Sequence, residues 1–255
     1  MNRALLAIFL LVSFTAAATA PTGKVTPAIP FGAKALMKAY PDFVKGYESG
    51  YLLMSDGTRI LYDDGKKKTF EERLNNADPE DMFHIAYDRS NWHPGYLHDP
   101  GRIRCEALYK KMYGTSAAAV QKRLVTVKWF GQNVRFTKVN GAADALRKVA
   151  AEIARHPELR KYVKSSGSFY WRNVRFAKRL SAHSYGMTID IAVAKSDYWG
   201  WKTKNHSETT KGIPYCNKFP RLLVEIFESH GFVWGGRWYH YDTMHFEYRP
   251  EFFVK

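Results

Sequence analysis

In Met187-Thr188-Ile189-Asp190-Ile191-Ala192-Val193, apolar side chains fall at every second position. That spacing belongs to a strand with one face in a core, and it puts Thr188, Asp190 and Ala192 on the other face. An acid inside such a strand is costly unless it is hydrogen-bonded, ion-paired or bound to a metal. Whatever fold the chain adopts must therefore bring a partner to Asp190. His183 lies seven residues earlier, across the Gly186 turn, and can fold back toward the same face. A second segment, Thr243-Met244-His245-Phe246-Glu247-Tyr248, alternates in the same way and sets Thr243, His245 and Glu247 on one face, with Asp242 at its entrance.

Two imidazoles and a carboxylate make a three-ligand zinc set with a fourth position left for water. A further carboxylate beside that water can take its proton, as metal-assisted hydrolysis requires. A hydrogen-bonded His183/Asp190 pair would satisfy the acid equally well, and the residues alone leave both readings open. The H-E-x-x-H helix of the thermolysin arrangement does not occur.

The rest of the chain supplies the frame. Helical patterns are expected at 33–40, at 105–123, from an Asn140 cap to just before Pro157, and from Pro220 to Gly231, with Leu222, Leu223, Ile226 and Phe227 inward. Hairpins are expected at 51–62 around Asp56-Gly57 and at 124–139 around Gly131-Gln132. Residues 63–104 carry no clear pattern.

The first twenty residues read as a secretory signal: Arg3, the apolar run Ala4–Phe14, and Ala18-Thr19-Ala20 as a cleavage site. That implies an exported protein, periplasmic or extracellular, with no spanning segment once the leader is removed. The net charge of +15 favours polyanionic surroundings, namely nucleic acid, acidic headgroups or anionic wall polymers. Export, and the lack of a basic helix or zinc-finger spacing, argue against nucleic acid. Cys105 and Cys216 can pair in an oxidising compartment or remain two free thiols.

The segment Ser181–Asp190 resembles the S-x-H-x-x-G-x-A-x-D signature of the VanY-like zinc D-alanyl-D-alanine carboxypeptidases, whose superfamily includes the L-alanyl-D-glutamate endopeptidases. Asp242 to Glu247 resembles their D-x-x-H-F-E motif, and Phe169-Tyr170-Trp171-Arg172 resembles the segment carrying their substrate arginine. The likeness runs over roughly residues 122–250 with the motifs in family order. It implies an α+β, Hedgehog/DD-peptidase-like fold, with an antiparallel sheet carrying one zinc and helices packed on its other face. It implies Zn2+, one per chain, on His183, Asp190 and His245, and Asp242 as general base. Arg172 would steady the polarised carbonyl with its fixed pair of donors.

Around that centre, Ser181 would line the site or orient His183, Glu247 would support a ligand imidazole, and His240 could contact substrate. The domain reading is a signal at 1–20, an extension packed on the core at 21–120 and a catalytic domain at 121–255. The implied substrate is the peptide stem of peptidoglycan, cut as a carboxypeptidase or as an endopeptidase; a non-catalytic wall-binding module is the alternative. Two departures stand out. Thr188 replaces the signature's Ala, and Asp242 stands where the dipeptidase branch has Glu, which weakens a dipeptidase reading.

Overall fold

The computed structural model describes residues 28–203 and 206–254; the leader at 1–20 lies outside them. Helix α1 (Phe31–Ala39) is followed by strands β1 (Val44–Glu48), β2 (Tyr51–Met54) and β3 (Arg59–Leu61), which form one antiparallel sheet. Helices α2 (Phe70–Asn76), α3 (Glu106–Tyr113) and α4 (Ala117–Gln121) come next. Strands β4 (Leu124–Trp129) and β5 (Gln132–Thr137) make a hairpin, and α5 (Ala142–Ile153) follows. The remaining elements are β6 (Ser165–Gly167), β7 (Thr188–Ile191), α6 (Trp199–Lys202), α7 (Arg221–Ser229), β8 (Phe232–Trp234) and β9 (His245–Tyr248). The fold is mixed α+β with antiparallel sheets.

The sheet that matters runs in the order β6-β7-β9-β8. Ile189 pairs with Phe246, and Trp234 lies across from Phe246 on the other side. These side chains share one core with Leu146, Val149 and Ile153 of α5 and with Leu223, Val224 and Phe227 of α7. Asp190 pairs with His245 and Thr188 with Glu247, so the opposite face is polar. Because strand side chains alternate, the packing that buries Ile189 and Phe246 also turns Asp190 and His245 toward each other.

A second core joins α1, β1–β3 and α3 to Ala182, Tyr185 and Met187. Residues from the first hundred positions therefore pack directly behind the turn that carries His183. Cys105 belongs to this core, and burial pushes its thiol up to about 11. Both cysteines are free thiols.

Several local expectations need correction. The 105–123 pattern is two helices, broken at Gly114, whose φ of 132° leaves helical space. Asn140 does not cap α5: it takes a left-handed φ of 55°, its amide bonds Tyr113, and Gly141 occupies the cap. The hairpin turn is Phe130-Gly131, both at positive φ, the conformation a two-residue hairpin turn with the sheet's own twist demands. Strand β7 stops at Ile191, since Ala192 turns left-handed, and Val193 is exposed. Leu222 also faces outward, while Val224 takes its place in the core.

Candidate metal centre

His183 sits in a single 3-10 turn, Ala182–Tyr185. Ser181 caps that turn, its side chain accepting from the His183 N–H at 3.4 Å. Ser184 is bound in place by the backbone of Arg172, donating to its carbonyl at 2.8 Å and accepting from its N–H at 3.0 Å. Gly186 then reverses the chain at φ 67°, and a Cβ there would come within 2.5 Å of Leu124. This reversal is what lets a ligand seven residues upstream face the strand that follows.

The tail is fixed as tightly. Gly235 allows the backbone of Asp242 to approach so closely that a Cβ would lie 2.4 Å from its carbonyl oxygen. The Trp234 indole donates to the Thr243 carbonyl at 2.8 Å, and Thr243 and Asp197 are tied by backbone and hydroxyl bonds.

Between these anchors the three side chains meet. His183 Nε2 is 3.2 Å from Asp190 Oδ2, and His245 Nδ1 is 3.1 Å from Asp190 Oδ1. The two rings stand edge to face at 5.2 Å. One donor atom from each residue lies within 4.8 Å of the others, so His183, Asp190 and His245 could hold one metal ion. The far nitrogens are also bound: His183 Nδ1 to the Ser168 carbonyl at 2.5 Å and His245 Nε2 to Glu247 at 3.4 Å. Such contacts fix which nitrogen is left for a cation. Two imidazoles with one carboxylate fit zinc, whose protein ligands are N, S and O donors.

The charges respond to this crowding. Burial would raise the Asp190 carboxyl, but His183 and His245 outweigh it and hold the group well below the usual carboxylate range. Asp242 shows the opposite balance: burial, and then the Asp190 charge, push it up to about 6. Its Oδ1 is buried with no hydrogen-bond partner among the described residues. A raised, unpartnered carboxylate beside a ligand cluster is poised to accept a proton.

The other named residues fall in different places. Glu247 is fully buried behind His245. The Arg172 guanidinium is exposed and donates to the Asn173 carbonyl at 3.2 Å, while its backbone braces the His183 turn. His240 is buried between Phe70 and Trp199, with Nδ1 2.7 Å from Asp99 and Nε2 unpartnered. The Trp238 ring packs 5.5 Å from His245. Two acidic groups around Asp64, Asp78 and Asp81 could also ligate a metal, but the Lys68 ammonium reaches all three acids at 2.6–3.2 Å.

The arginine and acid partners arrive from distant parts of the chain and carry no local signal in the sequence. Arg102 and Arg179 both bind Glu208, and Arg104 binds Glu247. Burial alone would raise Glu208, but the two guanidiniums outweigh it and hold the group at about 2. A carboxyl held below its unfolded value stabilises the fold above pH 4.5 and loses that contribution as pH falls toward 2. Glu208→Gln should therefore flatten the fall in stability between those pH values, measured by urea unfolding at each pH. An unchanged slope would contradict this ion-pair assignment.

Residues 175–248 match the sequence model of a family described as D-alanyl-D-alanine carboxypeptidase. Over that stretch the chain is similar to this peptidase family. The matched span holds His183, Asp190, Asp242 and His245, and it supports a metallopeptidase-type hydrolase. Arg172 and the N-terminal hundred residues lie outside it. Comparison with curated proteins and with solved structures gave no match. No helix among the described residues is long and apolar enough to cross a membrane.

Proposed function

We propose that the protein is an exported zinc peptidase that hydrolyses peptide bonds in peptidoglycan stem peptides, most simply as a D-alanyl-D-alanine carboxypeptidase. The observation that carries this reading is the convergence of His183, Asp190 and His245 beside an unpartnered Asp242. The family match over the same residues supports it.

His183, Asp190 and His245 would hold the zinc. The ion, when bound, supplies Lewis acidity that polarises a carbonyl and acidifies water. Asp242 takes the proton from the attacking water at its free Oδ1 and passes it to the departing amine. Ser181 and Ser184 keep the His183 turn in place, and Glu247 keeps the His245 ring turned. Arg172 would reach the substrate oxyanion by swinging from its exposed position. Residues 121–255 form the catalytic unit in this reading, residues 21–120 wrap behind it in a Hedgehog/DD-peptidase-like arrangement, and the basic surface retains the enzyme near anionic wall polymers.

An endopeptidase is the second reading; the solvent-open cleft of about 620 Å3 lined by Asn75, Arg175, Phe176, Arg179, His206 and Glu208 includes none of the metal-site residues and does not choose between the two. Defined muropeptides followed by mass spectrometry separate these cases. Loss of a terminal D-alanine, abolished by a chelator and restored by zinc, is the expected result. Internal cleavage would shift the assignment to endopeptidase, and chelator-insensitive cleavage or none would overturn the zinc peptidase reading.

A further inference from the structure

His245 presents Nδ1 to Asp190 and Nε2 to Glu247. A carboxylate clamped by two guanidiniums only accepts hydrogen bonds, so Glu247 holds a proton on Nε2 and leaves Nδ1, the nitrogen that faces Asp190, as the one a cation can take. Glu247 is itself fully buried and clamped on both oxygens. Arg104 Nη1 donates to Oε2 at 3.0 Å, and Arg249 Nη1 donates to Oε1 at 3.1 Å.

Arg249 is occupied elsewhere as well. It donates to Glu251 at 2.6 Å and to the carbonyls of Gly101 and Ile103, and Glu251 also accepts from Tyr40 and Tyr109. Tyr40, residues 101–104 and Tyr109 all precede the family-matched stretch. The wall behind His245 is thus built largely from chain that the peptidase family's own pattern does not contain.

We propose that Arg104 is a positioning residue for the metal centre: it fixes Glu247, and through Glu247 the ring orientation and the Nε2–H hydrogen bond of His245. The inference rests on the zinc-site reading above. It predicts that the N-terminal region acts on metal affinity and is not packing alone. A purely structural Arg104 would change the stability of the protein and leave the imidazole unaltered.

The test uses the full-length protein with Arg104→Gln and Arg104→Lys. Zinc affinity is measured by chelator competition, and the His245 Nε2–H···Glu247 hydrogen bond is read from the ring 15N–1H signals of the metal-free protein. Loss of such an outlying partner typically weakens metal binding about 10–100-fold. Arg104→Gln should weaken zinc by about tenfold and shift the Nε2–H signal away from its hydrogen-bonded position, with Arg104→Lys falling between it and wild type. A folded Gln variant with wild-type affinity and an unchanged Nε2–H signal would overturn the proposal. If the Gln variant does not fold, the Lys variant decides: reduced affinity or a shifted Nε2–H signal supports it, and wild-type values in both contradict it. If wild-type protein binds no zinc, the metal-site reading fails, and the Nε2–H signal still judges Arg104 on its own.

Discussion

Asp242→Asn should lower turnover of a stem peptide by about 10²–10⁴-fold, the usual contribution of a general base, while zinc content stays at the wild-type level. The amide matches the carboxylate in size but cannot accept a proton from water. Its position explains why the loss should be confined to chemistry: Asp242 touches the cluster through charge, and its Oδ1 makes no bond that holds the fold together. The comparison of kcat with bound zinc in one preparation is decisive. Full activity with full zinc would show that another group moves the proton. Low activity with lost zinc would show that Asp242 is a ligand instead.

The second large effect is on stability. Glu228 of α7 is fully buried and accepts from Arg237 through two bonds, at 2.5 and 3.1 Å, and from the Tyr87 hydroxyl at 2.7 Å. Arg237 is equally buried and begins the tail that leads to Asp242 and His245. Removing one partner of a buried pair leaves an uncompensated charge, which costs about 3–5 kcal/mol. Glu228→Ala should therefore lower the unfolding free energy by that amount in urea titration. A change below about 1 kcal/mol would place this pair among ordinary surface ion pairs and contradict its assignment as a buried anchor.

Much of the site was legible because its ligands follow simple periodicities. Alternation in 187–193 and 243–248 put Asp190 and His245 on the polar faces of strands, and the structure pairs those two residues directly. His183 could be placed because Gly186 permits the reversal that L-residues resist. The helix boundaries were read less well where a single residue departs from regular backbone, as at Gly114 and Asn140. Periodicity describes averages over a turn and does not register one dihedral.

The unreadable part is the network behind the ligands. Arg104 meets Glu247 across 143 positions, and Asp99 meets His240 across 141. Nothing local distinguishes these residues from the many arginines and acids that face solvent. The 63–104 segment contains one short α-helix, α2, a 3-10 turn at Asp81–Phe83 and otherwise irregular chain. Its role is visible only once Arg104 is seen to bind Glu247 on the polar face of the sheet, Asp99 to bind His240 and Arg102 to bind Glu208.

Two distant segments must grip one ion for this chemistry, and zinc stoichiometry measured on the purified chain tests that. One zinc per chain is expected in wild type, retained in Asp242→Asn and lost in the His183→Ala/His245→Ala double variant. Wild-type protein that takes up no zinc, or a double variant that keeps it, would show that these residues do not form the metal centre.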